Sequence, residues 1–168
     1  CLLNPIASAH YSFNKGTSTT GYPSSLMGSI ALLRQSYYDA QWYANGGKTE
    51  ERNLTLDAMN TLALRPSFFD AGDKWNLLRA DKVGDEFGIQ YIIKTNGTEY
   101  QRLNDVAATK ASLIVPLTFP DAFDVSDPYV SRLVSLDEMK HWEMAPSNCA
   151  MLSAQKIPFA ITGHGLGE

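Results

Sequence analysis

Cysteine and histidine are both scarce in this chain. Its 168 residues contain two cysteines, Cys1 and Cys149, and three histidines, His10, His141 and His164. Two cysteines are too few for a disulfide framework or a cysteine-rich metal site. The histidines show neither the H-x-H nor the H-E-x-x-H spacing that brings two imidazoles to one metal ion. The motifs alone therefore predict no zinc cluster.

Basic charge and long apolar runs are lacking as well. The chain has 14 Lys+Arg against 18 Asp+Glu, a formal net charge of -4, so it lacks the basic surface that a phosphate backbone demands. No apolar run approaches the roughly 20 residues that span a bilayer. No signal-peptide pattern opens the chain. We therefore expect neither a nucleic-acid partner nor a membrane span.

The first 23 residues differ in composition from the rest. They are rich in Ser, Thr, Gly and Asn and contain Pro5 and Pro23, which predicts an irregular lead-in over 1–23. We place one folded domain at 24–168, because 44% of the chain is hydrophobic and this is enough for a core. The chain begins with Cys1 instead of Met, so we expect a fragment of a longer protein.

Short apolar runs alternate with helical patterns over residues 24–168. Apolar residues at three- and four-residue steps predict a helix over 26–43, and a second helix follows over 54–64. Beyond them, the predicted strands are 67–69, 89–93, 112–117 and 158–162, separated by helices over 73–87, 99–108 and a capping-box helix from Ser135. This alternation is typical of parallel βα units whose sheet is covered on both faces. The fold class is α/β, either a small open sheet or part of a TIM-like barrel, which four strands cannot close.

Ligands of both architectures gather at the carboxyl ends of the strands. The predicted strand ends carry side chains suited to binding a small molecule, namely Asp70, Asp73, Lys94, Asn96 and His164. Turns that start helices also attract Asp and Asn for capping alone, so a purely structural role stays open. The sequence has no G-x-S-x-G elbow and no G-x-G-x-x-G after a strand. No catalytic residue is identified.

Several segments resemble the later half of the amidohydrolase superfamily, in particular its imidazolonepropionase-like and prolidase-like members. They are DKWNLLRA at 73–80, DEFGIQYII at 85–93 and GTEY at 97–100, preceded by a similar helix at 25–35. The nearest likeness is to large secreted amidohydrolase-like proteins of Bacteroidetes-type bacteria. The resemblance covers most of residues 10–168 and lies in the overall pattern, not in an invariant motif.

The resemblance implies a distorted barrel that hydrolyses C–N bonds other than peptide bonds with zinc or another divalent metal. The family holds its metal by an H-x-H on the first strand, histidines after the fifth and sixth strands, and an aspartate after the eighth. If the predicted strands are the fifth to eighth, these last three positions fall near Asp70, Lys94 and Gly163, and none has the expected side chain. Lys94 would also place a positive charge where a cation must sit. We therefore expect no cofactor and no independent hydrolysis in this segment.

Two functions remain open on these residues. The first is a degenerate, non-catalytic copy that serves as a scaffold in a secreted or periplasmic hydrolase. Its partner would be the remainder of the parent chain, an active amidohydrolase domain or a second copy of the chain. The alternative is a metal-free small-molecule-binding or enzymatic domain that uses Asp70, Lys94, Asn96 and His164. A receiver-like signalling domain with Asp70 as acceptor fits less well, because the acidic cluster that precedes such an acceptor is missing.

Overall fold

Five short strands form one sheet in the computed structural model of the chain, which describes residues 6–166. The strands are β1 (Ala9–Ser12), β2 (Ser67–Asp70), β3 (Tyr91–Lys94), β4 (Ser112–Pro116) and β5 (Phe159–Thr162). They lie in the order β1-β2-β3-β4-β5, the same as along the chain. The β1–β2 and β4–β5 pairs are parallel. The predicted α/β fold class is therefore confirmed.

Helices connect these strands and begin where the sequence provides a cap. They are α1 (Leu26–Ala44), α2 (Leu54–Leu62), α3 (Lys74–Phe87), α4 (Leu103–Thr109), α5 (Pro128–Ser131), α6 (Leu136–Met144) and α7 (Asn148–Ala154). Ser25 and Asn53 accept N–H groups in the first turns of α1 and α2. The capping box predicted at Ser135 is present and includes Glu138. No helix of residues 6–166 is long and apolar enough to cross a membrane.

The strand order indicates on which side of the sheet the helices lie. Crossovers between neighbouring parallel strands are right-handed, so connections that always step in one direction place their helices on one face. A doubly wound sheet reverses its order at a switch point and has helices on both faces. The order here never reverses, which is the winding of a βα-barrel. Five strands cannot close the eight-stranded form, so the architecture is consistent with part of a TIM-like barrel.

The two faces of the sheet are unequally covered, and this corrects the expectation that both are covered. In β2, Ser67 and Phe69 are buried, whereas Phe68 is only half-buried and Asp70 is exposed. Strands β1 and β4 alternate in the same way. Successive side chains of a strand point to opposite faces, so one face is closely packed and the other is more open. One-sided winding accounts for this difference.

The prediction of an irregular lead-in over residues 1–23 is wrong for β1, which adds a fifth strand to the four predicted. Ala9–Ser12 pairs in register with Ser67–Asp70, and the Ala9 N–H donates to the Pro66 carbonyl at 2.9 Å. Its sequence, AHYS, contains no apolar run, so the strand depends on a partner more than fifty positions away in the sequence. Cys1, on which the expectation of a fragment of a longer protein was based, lies outside the described residues.

The chain divides into two compact units. The first runs up to Ala71 and includes Arg79–Ile92, and the second comprises Gly72–Leu78 and the chain from Ile93 onward. Leucine, isoleucine and valine dominate the core of the second unit, where Leu77, Ile93 and Leu113 are at most 1% exposed. Each unit therefore has apolar residues that are removed from water.

Aromatic side chains fill the core of the first unit. The Tyr91 ring packs edge-on against Phe69 at 5.2 Å and against Tyr11 at 5.6 Å between ring centroids. Its hydroxyl is 2.6 Å from that of Tyr37 in a buried hydrogen bond. Burial raises the pKa of Tyr91 to about 12, and burial followed by the Tyr91 contact raises the pKa of Tyr37 well above its usual range. Both phenols are therefore uncharged at neutral pH.

The aromatic residues of α1 are only partly used for packing. Tyr37 and Tyr43 are buried, with 6% and 1% of their surface exposed. Tyr38 and Trp42 are 56% and 53% exposed and lie on the outer side. The buried residues of α1 therefore lie on one face of the helix, as is typical of an amphipathic helix with 3.6 residues per turn.

Replacing Tyr37 with Phe is expected to lower the free energy of unfolding by about 1–2 kcal/mol, because it leaves the buried Tyr91 hydroxyl without this partner. The double variant Tyr37→Phe/Tyr91→Phe should cost less than the sum of the two single changes, since both polar groups are then removed. Urea unfolding measures these differences. Tyr38→Phe is the matched control on the exposed side of α1, and an equal loss there would contradict the prediction.

Asp81 on α3 provides a test of pH dependence. Burial, with a smaller contribution from the charge of Asp85, raises the pKa of Asp81 from 3.8 to about 6. The folded state therefore favours the protonated acid, and its stability falls as pH rises from about 4 to about 6. Asp81→Asn should raise the free energy of unfolding by roughly 1 kcal/mol at neutral pH after solvent screening, and by nothing at about pH 4. Urea unfolding at both pH values, with Glu50→Gln as exposed control, would contradict this if the gain were independent of pH.

Candidate functional site

The carboxyl ends of the strands form the edge of the sheet at which βα-barrels bind ligands. In the first unit, Ser12 ends β1 and Asp70 ends β2, and the two residues are paired in register. Both are exposed. The predicted site residue Asp70 thus does lie at a strand end, beside a serine that the sequence analysis had assigned to an irregular segment.

A small cleft lies next to the end of β1. Its lining comes from the segment after β1 and from α1: Ser12, Phe13, Asn14, Lys15, Pro23, Ser29, Leu32, Leu33 and Ser36. The Lys15 ammonium donates to the Thr20 carbonyl at 2.7 Å. The cleft measures about 190 Å³, which is below the range of roughly 300–1,000 Å³ typical of ligand pockets. It has room for a group of a few atoms and not for a complete substrate.

In the second unit, Asp73 acts as the cap of α3. Its carboxylate accepts the Asn76 N–H at 2.8 Å and the Asn76 side-chain amide at 3.3 Å. The bond from the Asn76 N–H satisfies a backbone donor of the first helical turn, as a cap does. The structural role that stayed open in the sequence is therefore present at Asp73, and a role in binding a ligand stays a prediction.

Lys94 is the last residue of β3, and Asn96 lies in the turn that follows. The Thr95 N–H donates to the Ile114 carbonyl at 3.0 Å, so the backbone pairing continues one residue past Lys94. Asn96 accepts a hydrogen bond from the Thr98 hydroxyl at 2.6 Å. Gly97 has a φ of +89°, a conformation that side chains other than glycine rarely adopt. The turn is thus well defined by its own backbone and side-chain contacts.

Glu99 and Asn148 form a buried polar pair behind this turn, and the sequence analysis missed both. Glu99 is 0% exposed, and its carboxylate accepts the Gly97 N–H at 3.2 Å and the Asn148 amide at 2.6 Å. The Asn148 oxygen in turn accepts the Tyr100 N–H at 2.9 Å. Buried carboxylates need such donors. The pair joins the strand-end turn to the start of α7, and the only signal in the sequence was a glutamate two residues after the turn glycine.

Cys149 lies beside this pair. It is half-buried, and burial, with a smaller contribution from the negative charge of Glu99, raises the pKa of its thiol. A raised pKa lowers the thiolate fraction at neutral pH, and the thiolate is the nucleophilic form. Cys149 is therefore poorly suited to act as a nucleophile at neutral pH.

The three histidines have different surroundings. His141 lies within α6, and its Nδ1 is 2.9 Å from the Tyr100 hydroxyl. His10 stacks on Phe68 with 5.2 Å between ring centroids. His164, the predicted site residue, is exposed after β5, and its backbone N–H donates to the Thr162 hydroxyl at 3.3 Å. The rings of His10 and His141 thus contact other side chains, whereas the His164 bond is made by its backbone.

The residues at the strand ends do not fit a catalytic divalent metal. Phe69 is 0% exposed and packs against other aromatic rings, and the Thr95 hydroxyl donates to a backbone carbonyl at 3.4 Å. Lys94 is a cation and Gly163 has no side chain, so Asp70 is left as a single oxygen ligand. Over residues 6–166, no cluster of three His, Cys, Asp or Glu side chains could hold a metal ion. Stable zinc sites use three or four such side chains.

A solved structure shares this architecture. An amidohydrolase from Thermotoga maritima superimposes with a TM-score of 0.57 and 17% sequence identity, over 86% of this chain and 37% of that protein. The present chain therefore spans little more than a third of the length of that structure. At this identity the similarity shows the fold alone. No protein-family model matches the sequence, and no curated protein matches it.

Asn148→Ala is expected to lower the free energy of unfolding by about 2 kcal/mol, because it removes a donor from the buried Glu99 carboxylate. Asn148→Asp should cost more at neutral pH, since it places a second negative charge beside Glu99. Thermal and urea unfolding measure both changes. The exposed Asn104→Ala is the control, and an equal loss in that variant would show that the pair is not a stabilising element.

Proposed function

We propose that this chain is a non-catalytic, amidohydrolase-like part of a barrel that serves as a scaffold within a larger hydrolase. The unreversed order of five parallel strands and the fold shared with an amidohydrolase support the barrel origin. The observation that carries the non-catalytic role concerns the three strand ends where the resemblance implies metal ligands, which have Asp70, Lys94 and Gly163, that is one carboxylate, one ammonium group and no imidazole.

The chemistry of the proposed parent family explains why these residues matter. Hydrolysis of a C–N bond by such enzymes needs a metal that polarises the carbonyl and lowers the pKa of its bound water. Gly163 has no side chain to coordinate a metal, and the Lys94 ammonium is not a metal ligand and would add a positive charge if it pointed into the site. Asp70 would be left to bind a cation without further protein ligands from the corresponding positions. This chain by itself therefore lacks the means to generate the attacking hydroxide.

The more open face of the sheet supports the scaffold role. Phe68 is half-buried there, with His10 stacked on it. A closed barrel buries the corresponding face in its interior, so additional strands would cover these side chains. The remainder of a parent chain, an active amidohydrolase domain or a second copy of this chain are the proposed sources. The sequence segments that resemble large secreted amidohydrolase-like proteins of Bacteroidetes-type bacteria lead us to propose, in addition, that the parent protein is secreted or periplasmic.

Zinc binding and hydrolysis test the proposal directly. After equilibrium dialysis against zinc, the chain should retain well below one ion per molecule, and Asp70→Ala should retain the same amount as the unaltered chain and the Asp105→Ala control. A screen of amides and lactams should show no turnover above buffer. Stoichiometric zinc that Asp70→Ala removes, but Asp105→Ala does not, would overturn the non-catalytic role.

The metal-free alternative has one observation in its favour. Lys94 ends β3, and Asn96 lies in the following turn, which the buried Glu99 holds in place; pre-organised polar groups are suited to binding. This alternative also uses Asp70 and His164, as predicted from the sequence. Turnover or ligand binding that persists in chelator and is lost in Lys94→Ala, but not in the exposed Lys82→Ala, would favour it over the scaffold.

A further inference from the structure

An apolar groove lies in the second unit between the segment that follows β4 and helix α6. Five apolar side chains and one acid line it, namely Ala122, Phe123, Val125, Met139, Trp142 and Glu143. We refer to these six residues as the α6 groove. Its volume is about 540 Å³, well within the range of roughly 300–1,000 Å³ of sites that bind organic groups.

The groove lies in a segment with many exposed apolar residues. Val125, Met139 and Trp142, which line the groove, are 69%, 47% and 49% exposed. Five more large apolar residues of the same segment are also exposed: Phe119, Tyr129, Val130, Leu133 and Leu136. Single exposed apolar residues are ordinary on protein surfaces, whereas an apolar groove with three large exposed side chains is a feature of interaction sites.

The same segment is strongly acidic. Residues 119–144 contain six acidic and two basic residues, a net charge of -4, which equals the net charge of the whole chain. The rest of the chain contains twelve acidic and twelve basic residues, so its formal net charge is zero. Asp121, Asp124 and Glu143 are exposed and lie in or next to the stretches that line the groove. A local excess of one sign attracts partners of the opposite sign and repels the others.

Part of this acidity also has a local structural use. Asp124 accepts the Ser126 N–H and hydroxyl at 3.0 and 2.7 Å, and Asp127 caps α5 through the Tyr129 N–H at 2.7 Å. Hydrogen bonds from Ser126 lower the pKa of the Asp124 carboxyl. The shift favours the ionised form, which is also that of an ordinary aspartate at neutral pH, so the carboxylate adds to the negative potential around the groove. Capping explains why acids occur at these positions, but it does not explain the exposed tryptophan, methionine and valine between them.

We propose that the α6 groove binds an amphipathic helical segment of a partner protein, with an apolar face flanked by lysine or arginine. Recognition of a helix in a groove uses apolar side chains one turn apart as anchors, and the exposed apolar residues around Trp142 offer such a surface. The inference does not depend on the proposed scaffold function, since it concerns residues outside the strand ends.

Charge decides against other occupants of this groove. A second copy of the chain would bring the same excess of four negative charges to the contact, and like charges facing each other disfavour association. Nucleic acid and anionic membranes are repelled for the same reason. A small apolar ligand would leave most of the surrounding exposed surface, including Tyr129 and Leu133 at 79% and 82%, in water.

Three fluorescein-labelled model peptides test the proposal by fluorescence anisotropy with the full chain. The first has leucines on one helical face and lysines elsewhere over roughly four turns. The second replaces the lysines with glutamates, and the third scrambles the first so that no apolar face remains. The leucine–lysine peptide should bind about tenfold more tightly than either of the others at low salt, and salt should reduce its advantage over the glutamate peptide but not over the scrambled peptide of equal charge.

Matched variants locate the binding site. Met139→Ser/Trp142→Ser should weaken binding of the leucine–lysine peptide about tenfold or more, whereas Trp42→Ser, which removes a similarly exposed tryptophan in the first unit, should not. Asp121→Asn/Asp124→Asn/Glu143→Gln should bring the lysine and glutamate peptides to similar affinity. Glu50→Gln/Glu51→Gln/Asp105→Asn removes the same charge elsewhere and should leave the preference unchanged. Circular dichroism of each variant checks that the chain is folded.

Several outcomes would overturn the inference. Equal affinity for the lysine and glutamate peptides, or equal loss in the groove and control variants, would show that recognition is not of this kind. Dimerisation that Trp142→Ser abolishes would assign the groove to a second copy of the chain. Binding of uncharged phosphatidylcholine vesicles in preference to the leucine–lysine peptide would assign it to a lipid surface.

Discussion

The right-handed connection between neighbouring parallel strands is the constraint on which the rest of this structure depends. Because the strand order never reverses, the connections place their helices on one face of the sheet. The other face stays more open, which explains why Phe68 is half-buried while Phe69 on the same strand is fully buried. The same direction of all strands brings their carboxyl ends to one edge, where Asp70 and Lys94 are found.

Each compact unit contains one buried polar pair that limits how its elements can pack. In the first unit it is the Tyr37–Tyr91 hydroxyl pair, and in the second it is Glu99 with Asn148. A buried polar atom without a partner raises the free energy of the folded state. Each pair therefore favours the packing of its unit in which both hydrogen-bond partners meet. Glu99 holds a strand-end turn in place. Because it is fully buried and both of its carboxylate oxygens accept hydrogen bonds, its role is to position this turn.

Fold and chemistry lead to different conclusions for this chain. The chain shares the fold of a solved amidohydrolase and is consistent with part of a TIM-like barrel, whereas Asp70, Lys94 and Gly163 stand at the positions where the resemblance implies metal ligands. The most unusual surface lies elsewhere, on the segment between β4 and α7, where the net negative charge and the exposed Trp142 coincide. Fold similarity does not transfer function, and this surface is a property of the chain's own residues.

Local patterns determined a large part of the structure. The caps at Ser25, Asn53 and Ser135, the four apolar strands and the α/β class all depend on residues close together in sequence, and they were predictable for that reason. Strand β1, the burial of Glu99 and the α6 groove were not, because each depends on partners distant in the chain or on which apolar residues remain uncovered. Only tertiary packing decides which polar groups lose their water and which apolar groups keep it.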